Sequence, residues 1–132
     1  MPSKVLVADD SPTIRRRATS TLTEAGYDVA CVEDGQAAWA ALESGGPYGV
    51  LLCDILMPGI DGYELCRRVK TDARFAALPV LLLRGTFEPW DQNKAVEVGA
   101  DGYVTKPFDA EALLSTLAEV LADGGQHAAP PA

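Results

Sequence analysis

Short apolar runs alternate along this chain with longer segments whose apolar residues recur at helical spacing. Lys4-Val-Leu-Val-Ala-Asp9 is a compact apolar run ending in acid, the form of a strand buried on both faces. Ser11-Pro12 then supplies an N-cap and a first-turn proline for a helix carrying Ile14, Ala18, Leu22 and Ala25, which Gly26 stops. Tyr27 to Val32 predicts a second strand, and Asp34-Gly35 opens a helix through about Leu42. Gly45-Gly46-Pro47 breaks the chain before a third strand, Gly49-Val-Leu-Leu-Cys53, which also ends in acid at Asp54. Past the turn Met57-Pro58-Gly59, Asp61 has the look of an N-cap, with Glu64 in the capping-box position of a helix that includes Leu65 and Val69. Pro79-Val-Leu-Leu-Leu83 predicts a fourth strand, with Arg84-Gly85-Thr86 at its end. Pro89 suits the first turn of the next helix, which stops at Gly99. Asp101-Gly-Tyr-Val-Thr105 predicts a short fifth strand, and a last amphipathic helix runs from about Asp109 to Leu121.

Strands alternating with helices of this length require crossover connections, which place helices on both faces of a parallel sheet. The expected fold class is therefore α/β, a doubly wound five-stranded parallel sheet. The chain of 132 residues fits one domain, 1–123, with 124–132 as a small, proline-ended tail or linker stub.

Composition narrows the function. A hydrophobic fraction of 48% is ample for one core, and a formal net charge of −8 argues against nucleic acid or an anionic membrane as partner. No apolar run is long enough to cross a bilayer, and the start lacks a secretory pattern, so the expected location is cytoplasmic. Cys31, Cys53 and Cys66 show no CxxC spacing, and the one histidine, His127, lies in the tail, so zinc is not expected. All three cysteines fall in apolar stretches and are expected to be small buried hydrophobes.

Candidate chemistry sits at strand ends. In an open α/β sheet, ligands bind outside the carboxyl ends of the strands. Asp9 and Asp10 follow the first strand and Asp54 the third, so the three carboxylates converge if those strands are neighbours. Like charges that close raise each other's pKa unless a cation joins them, and a hard divalent ion such as magnesium suits oxygen ligands. Taken singly, an aspartate after a strand is more often a cap or turn residue.

The order of three segments goes further. Val-Leu-Val-Ala-Asp9-Asp10-Ser-Pro, then Leu-Leu-Cys-Asp54-Ile-Leu-Met57-Pro58-Gly-Ile-Asp61-Gly62, then Gly102-Tyr103-Val-Thr-Lys106-Pro107-Phe108 together resemble the CheY-like receiver domain of two-component response regulators, over about residues 4 to 122. The resemblance implies the strand order 2-1-3-4-5 and names Asp54 as phosphoacceptor. It implies Mg2+ held by Asp9, Asp10, Asp54 and the backbone carbonyl of Leu56. Lys106 would be a point charge for a phosphoryl oxygen, and its peptide bond to Pro107 is typically cis in the family. Tyr103 matches the aromatic switch position. The implied partners are a histidine kinase or phosphotransfer protein and a downstream protein target, with a homodimer left open. The implied activity is that of a switch rather than a metabolic enzyme, limited to self-phosphorylation from small donors and self-dephosphorylation.

The pattern departs from the family at the end of the fourth strand, where a threonine or serine followed by alanine is usual and Arg84-Gly85 stands here. Arg84 either holds the phosphoryl group bidentately, pairs with Asp54 or its neighbours at rest, or points to solvent; Thr86 is a nearby hydroxyl that could stand in. Phe87 and Trp90 fit either a core or a partner interface beside Tyr103. Arg15, Arg16 and Arg17 fit either a kinase-docking face or a solvated basic stripe. The alternative function is a degenerate receiver acting as a phosphorylation-independent interaction module. A haloacid dehalogenase-type phosphohydrolase would want D-x-D, whereas Ser11-Pro12 follows Asp10. A flavodoxin-like cofactor binder would meet an acidic first loop that repels a flavin phosphate.

Overall fold

The computed structural model describes residues 4–45, 47–86, 89–106 and 108–122. Strands and helices alternate through them: β1 (Lys4–Ala8), α1 (Pro12–Glu24), β2 (Asp28–Val32), α2 (Gly35–Gly45), β3 (Val50–Asp54), α3 (Gly62–Thr71), β4 (Val80–Gly85), α4 (Gln92–Glu97), β5 (Gly102–Lys106) and α5 (Ala110–Ala122). The sheet order is β2-β1-β3-β4-β5, and every pairing is parallel. The expected doubly wound α/β architecture is what the chain adopts.

Alternation along each strand divides the interior into two cores. Leu6, Leu51, Cys53 and Leu82 face one side, where Leu42 of α2, Leu65 and Val69 of α3 and Ala95 of α4 cover them. Val7, Leu52, Leu81 and Leu83 face the other, against Leu22 of α1 and Leu113 and Leu117 of α5. Central β3 is buried at all five positions, which is why it reads as an unbroken apolar run. Truncating one of its leucines, such as Leu52→Ala, costs about 2–5 kcal/mol for a side chain this enclosed.

Helix starts follow from short polar side chains. Ser11 Oγ accepts the Ile14 amide, and Asp34, Asp61, Asp91 and Asp109 each accept an amide three residues on. Because every strand is parallel, all five helix N-termini lie at the carboxyl end of the sheet, where their dipoles favour negative charge.

Three expectations need correction. Cys31 is exposed, because β2 pairs only with β1 and leaves an edge; its Sγ lies 3.1 Å from Thr19 Oγ1. Helix α4 starts at Gln92 with Asp91 as its cap, so Pro89 precedes the helix instead of sitting in its first turn. Asp61 caps α3 as expected, but Glu64 turns outward to Arg67 and Arg68, whose charged donors outcompete a return bond to the cap amide. Phe87, Pro107 and the segment 124–132 lie outside the described residues.

Candidate functional site

The segment from Asp54 to Gly62 is built to deliver one carboxylate to the end of the sheet. Asp54 is the last residue of β3 and is 1% exposed. The chain then reverses: Met57 anchors the turn in the core, and Gly59 adopts φ +80, a conformation that side chains disfavour. Helix α3 returns so closely that a Cβ on Gly62 would overlap the Asp54 carbonyl oxygen, while the Gly62 amide bonds the Ile55 carbonyl at 3.1 Å. The spacing D-x-x-M-P-G-x-D-G thus encodes an acceptor, a buried anchor, a left-handed turn, a cap and a close approach.

Neighbouring β1 delivers Asp9 and Asp10. Oxygens of Asp9, Asp10 and Asp54 lie within 4.8 Å of one another, Asp10 exposed and the other two buried. Asp9 Oδ1 accepts the Ser11 amide at 2.8 Å, and Arg15 Nη1 donates to the Asp9 carbonyl at 2.6 Å. From β5, Lys106 Nζ lies 3.0 Å from Asp54 Oδ1 and 3.4 Å from Asp9 Oδ2. Burial pushes the Asp9 carboxyl above its usual range; the Ser11 amide and Lys106 oppose the rise, and Asp10 adds to it. One ammonium facing three carboxylates leaves a local excess of negative charge. Hard oxygen donors from two adjacent strands, still short of positive charge, fit a small divalent cation.

Beside the carboxylates, β4 ends in Arg84. Its guanidinium carbon lies 5.2 Å from the Trp90 ring centre and 5.7 Å from that of Tyr103, and its Nε is buried with no hydrogen-bond partner among the described residues. Trp90 bridges Tyr63 and Tyr103, with ring centres 6.1 and 4.8 Å away. Thr86 donates its hydroxyl to the Lys106 carbonyl at 2.7 Å, which ties the end of β4 to β5.

Residues 5–118 match the sequence profile of the response regulator receiver domain. The chain belongs to the response regulator receiver family. Protein PilG of Pseudomonas aeruginosa is 40% identical over 114 residues, 86% of this chain and 84% of that protein. The transcriptional regulatory protein TcrA of Mycobacterium tuberculosis is 36% identical over 128 residues, 97% of this chain but 49% of TcrA, so this receiver spans about half the length of that relative. Among solved structures, a putative response regulator from Chloroflexus aurantiacus superimposes with a TM-score of 0.86 at 34% identity, covering 92% of this chain and 99% of that one.

The receiver fold brings Asp9, Asp10, Asp54 and Lys106 together. Leu56 lies two residues beyond Asp54, half exposed, its amide 3.4 Å from Asp54 Oδ1. At rest Arg84 neither pairs with a carboxylate among the described residues nor extends freely into solvent: it is partly buried and lies against the rings of Trp90 and Tyr103. Trp90 and Tyr103 are half-buried against the α3–α4 side of the core. Two of the three basic residues of α1 serve the receiver itself, Arg15 through the Asp9 carbonyl and Arg17 through the Phe108 carbonyl at 3.1 Å; Arg16 is exposed. Sequence reasoning missed the clamp on Arg84. The signal for it was present in an arginine, a tryptophan and a tyrosine crowded at one sheet end, but their ring contacts depend on the β4–β5 register.

Proposed function

We propose that this chain is a phospho-accepting switch in which Asp54 takes a phosphoryl group from a histidine kinase or phosphotransfer protein. The observation that carries the reading is the buried Asp54 carboxylate, 3.0 Å from Lys106 and grouped with Asp9 and Asp10. An Asp54 oxygen attacks phosphorus, the P–N bond of the donor phosphohistidine breaks, and the imidazole leaves with its electron pair, giving an acyl phosphate. Lys106 stays beside the reacting carboxylate and offers its charge to a phosphoryl oxygen. Asp9, Asp10, Asp54 and the Leu56 carbonyl are the groups that would hold Mg2+, which supplies charge neutralisation for the transferring group. Arg84 occupies the position at the end of β4 where the family uses a small hydroxyl.

The chain acts by contact with a downstream protein rather than by metabolic turnover, its own chemistry being limited to accepting and losing phosphate. Retention of all three acids and the lysine weighs against a module that signals without phosphate. Among the described residues no helix is long and apolar enough to cross a membrane. Treatment with acetyl phosphate and Mg2+, followed by intact-mass analysis, tests the reading. Wild type gains one phosphoryl group and Asp54→Asn gains none. An unmodified wild type, or an equally modified Asp54→Asn, overturns it.

A further inference from the structure

We propose that Arg84 is a second phosphoryl-binding cation, held in reserve on the faces of Trp90 and Tyr103 until charge appears on Asp54. The inference rests on Asp54 being the phosphoacceptor and adds a residue whose chemistry differs from that of a hydroxyl.

Charge balance comes first. Among the described residues, Lys106 is the cationic side chain paired with the Asp9, Asp10 and Asp54 cluster, an excess of negative charge that one divalent cation cancels. Converting the Asp54 carboxylate to an acyl phosphate adds a further negative charge and three acceptor oxygens, so the site is then one cation short.

Position comes next. Leu83 is the sheet partner of Asp54, and Arg84 is the following residue. Strand spacing and rise put the two Cα atoms, of Arg84 and Asp54, about 6 Å apart, within the span of an arginine side chain. Arg84 shares the Leu82 face of β4, as Tyr103 packs on that same core. Asp54 is the end of β3, so a guanidinium can cross above it without passing through the sheet.

The resting state of Arg84 is the third observation. Arginine ordinarily satisfies its donors, yet here the Nε is buried without a partner among the described residues and the guanidinium is held by ring faces 5.2 and 5.7 Å away. Ring faces neutralise a cation weakly and accept no in-plane hydrogen bond. A phosphoryl group offers charge and paired acceptors together, the geometry a guanidinium fits best. Movement of Arg84 toward Asp54 therefore exchanges the weaker partner for the stronger one. It also strips the cation from Trp90, whose neighbours Leu56, Tyr63 and Lys94 line an open cleft of about 510 Å³. An event on Asp54 is thereby conveyed to a surface that a protein can touch.

The test uses the whole chain, Mg2+ and beryllofluoride as the phosphoryl mimic. Fluorine NMR reads binding at Asp54, and the indole N–H resonance of Trp90, distinguished from Trp39 by a Trp39→Phe variant, reads release of the clamp. Wild type binds the mimic and shifts the Trp90 resonance. Arg84→Met binds it about tenfold more weakly, the scale of one charge-assisted hydrogen-bond pair, and its Trp90 resonance no longer responds. Arg84→Lys, which keeps the charge and loses the planar fork, recovers part of the affinity. Arg84→Met binding as tightly as wild type, with the Trp90 response intact, overturns the proposal while leaving Asp54 as acceptor. A wild type blind to beryllofluoride overturns the acceptor assignment itself, and this proposal with it.

Discussion

Each end of the sheet buries an aspartate against a lysine, and the two pairs are built differently. At the amino end, Asp101 Oδ2 accepts Lys70 Nζ at 2.8 Å and the Val80 amide at 2.7 Å, while Lys70 also donates to the Leu78 carbonyl at 2.7 Å. One acid meets one base, and backbone groups take up what remains. At the carboxyl end, Lys106 meets Asp9 and Asp54 with Asp10 alongside, so acids outnumber the base. Burial is similar: Asp101 is 2% exposed and Asp9 0%. Stoichiometry separates them. A balanced buried pair is complete and serves to hold elements together, here helix α3 to the start of β4 and β5, whereas an unbalanced one attracts whatever supplies the missing charge.

Breaking the balanced pair carries the largest effect. Asp101→Ala leaves Lys70 without its counter-ion and the Val80 amide without its acceptor, at a cost of about 3 kcal/mol. Urea unfolding measures it, and Mg2+ affinity at the far end stays unchanged. Cys66 gives a local readout. Its thiol is pushed up to about 12 by burial and donates to the Val98 carbonyl at 3.5 Å beside this pair. Alkylation of Cys66, negligible in wild type while exposed Cys31 reacts, becomes measurable in the variant. A loss under about 1 kcal/mol, or a shift in Mg2+ affinity, breaks the distinction between the two ends. Replacing both partners, Lys70→Met with Asp101→Leu, removes the unpaired ammonium but leaves the Val80 amide without an acceptor, so it returns only part of the stability.

The same operation on the unbalanced site has the opposite sign. Burial raises the Asp9 carboxyl above its usual 3.8, so the folded state keeps the proton longer than the unfolded chain does. The stability contributed by Asp9 is fully present below about pH 3.8 and is lost as pH rises through the raised folded value. Asn imitates the protonated acid, and its carbonyl keeps the bond from the Ser11 amide. In Mg2+-free buffer with chelator, Asp9→Asn is therefore more stable than wild type near neutral pH, by about 1 kcal/mol, and the gain closes toward pH 4. Mg2+ stabilises the variant less than wild type, since one of its holding groups is gone. Destabilisation by Asp9→Asn at neutral pH would place this end in the same structural role as the other.

These two ends were not equally legible in the sequence. Asp9, Asp10 and Asp54 stand directly after apolar runs, and a run ending in acid is visible without coordinates. Ser11-Pro12 and Asp61 announce helix starts for the same local reason. Asp101 and Lys70 carry no such mark: they lie 31 positions apart, and only the β4–β5 pairing brings Asp101 to the start of β4. Cys31 was misread because an apolar run looks the same at an edge as at the centre, and only sheet order reveals that β2 has one neighbour. The stacking of Arg84 also needed tertiary register, since residues 84, 90 and 103 come from β4, the loop before α4, and β5.

The smallest effect belongs to the ion-pair group with the most obvious hydrogen bonds. Glu64 accepts from Arg67 Nε at 3.0 Å and Arg68 Nε at 3.1 Å, and these bonds pull its carboxyl down toward about 2. The sign is that of a depressed acid: its contribution is present above the usual 4.5 and is lost as pH falls through the depressed value. Both arginines are on the surface, 53% and 43% exposed, so water and salt screen the attraction and side-chain ordering offsets much of the rest. Glu64→Gln therefore leaves the urea midpoint at pH 7 within error of wild type, and the carboxyl resonance of wild-type Glu64 titrates only a little below the usual 4.5, by a margin that closes as salt is added. Such a group differs from both buried ends in the one property that sets their energies, removal from water. A clear loss of stability in Glu64→Gln, unmoved by salt, would mean that hydrogen-bond number and not burial ranks the three clusters.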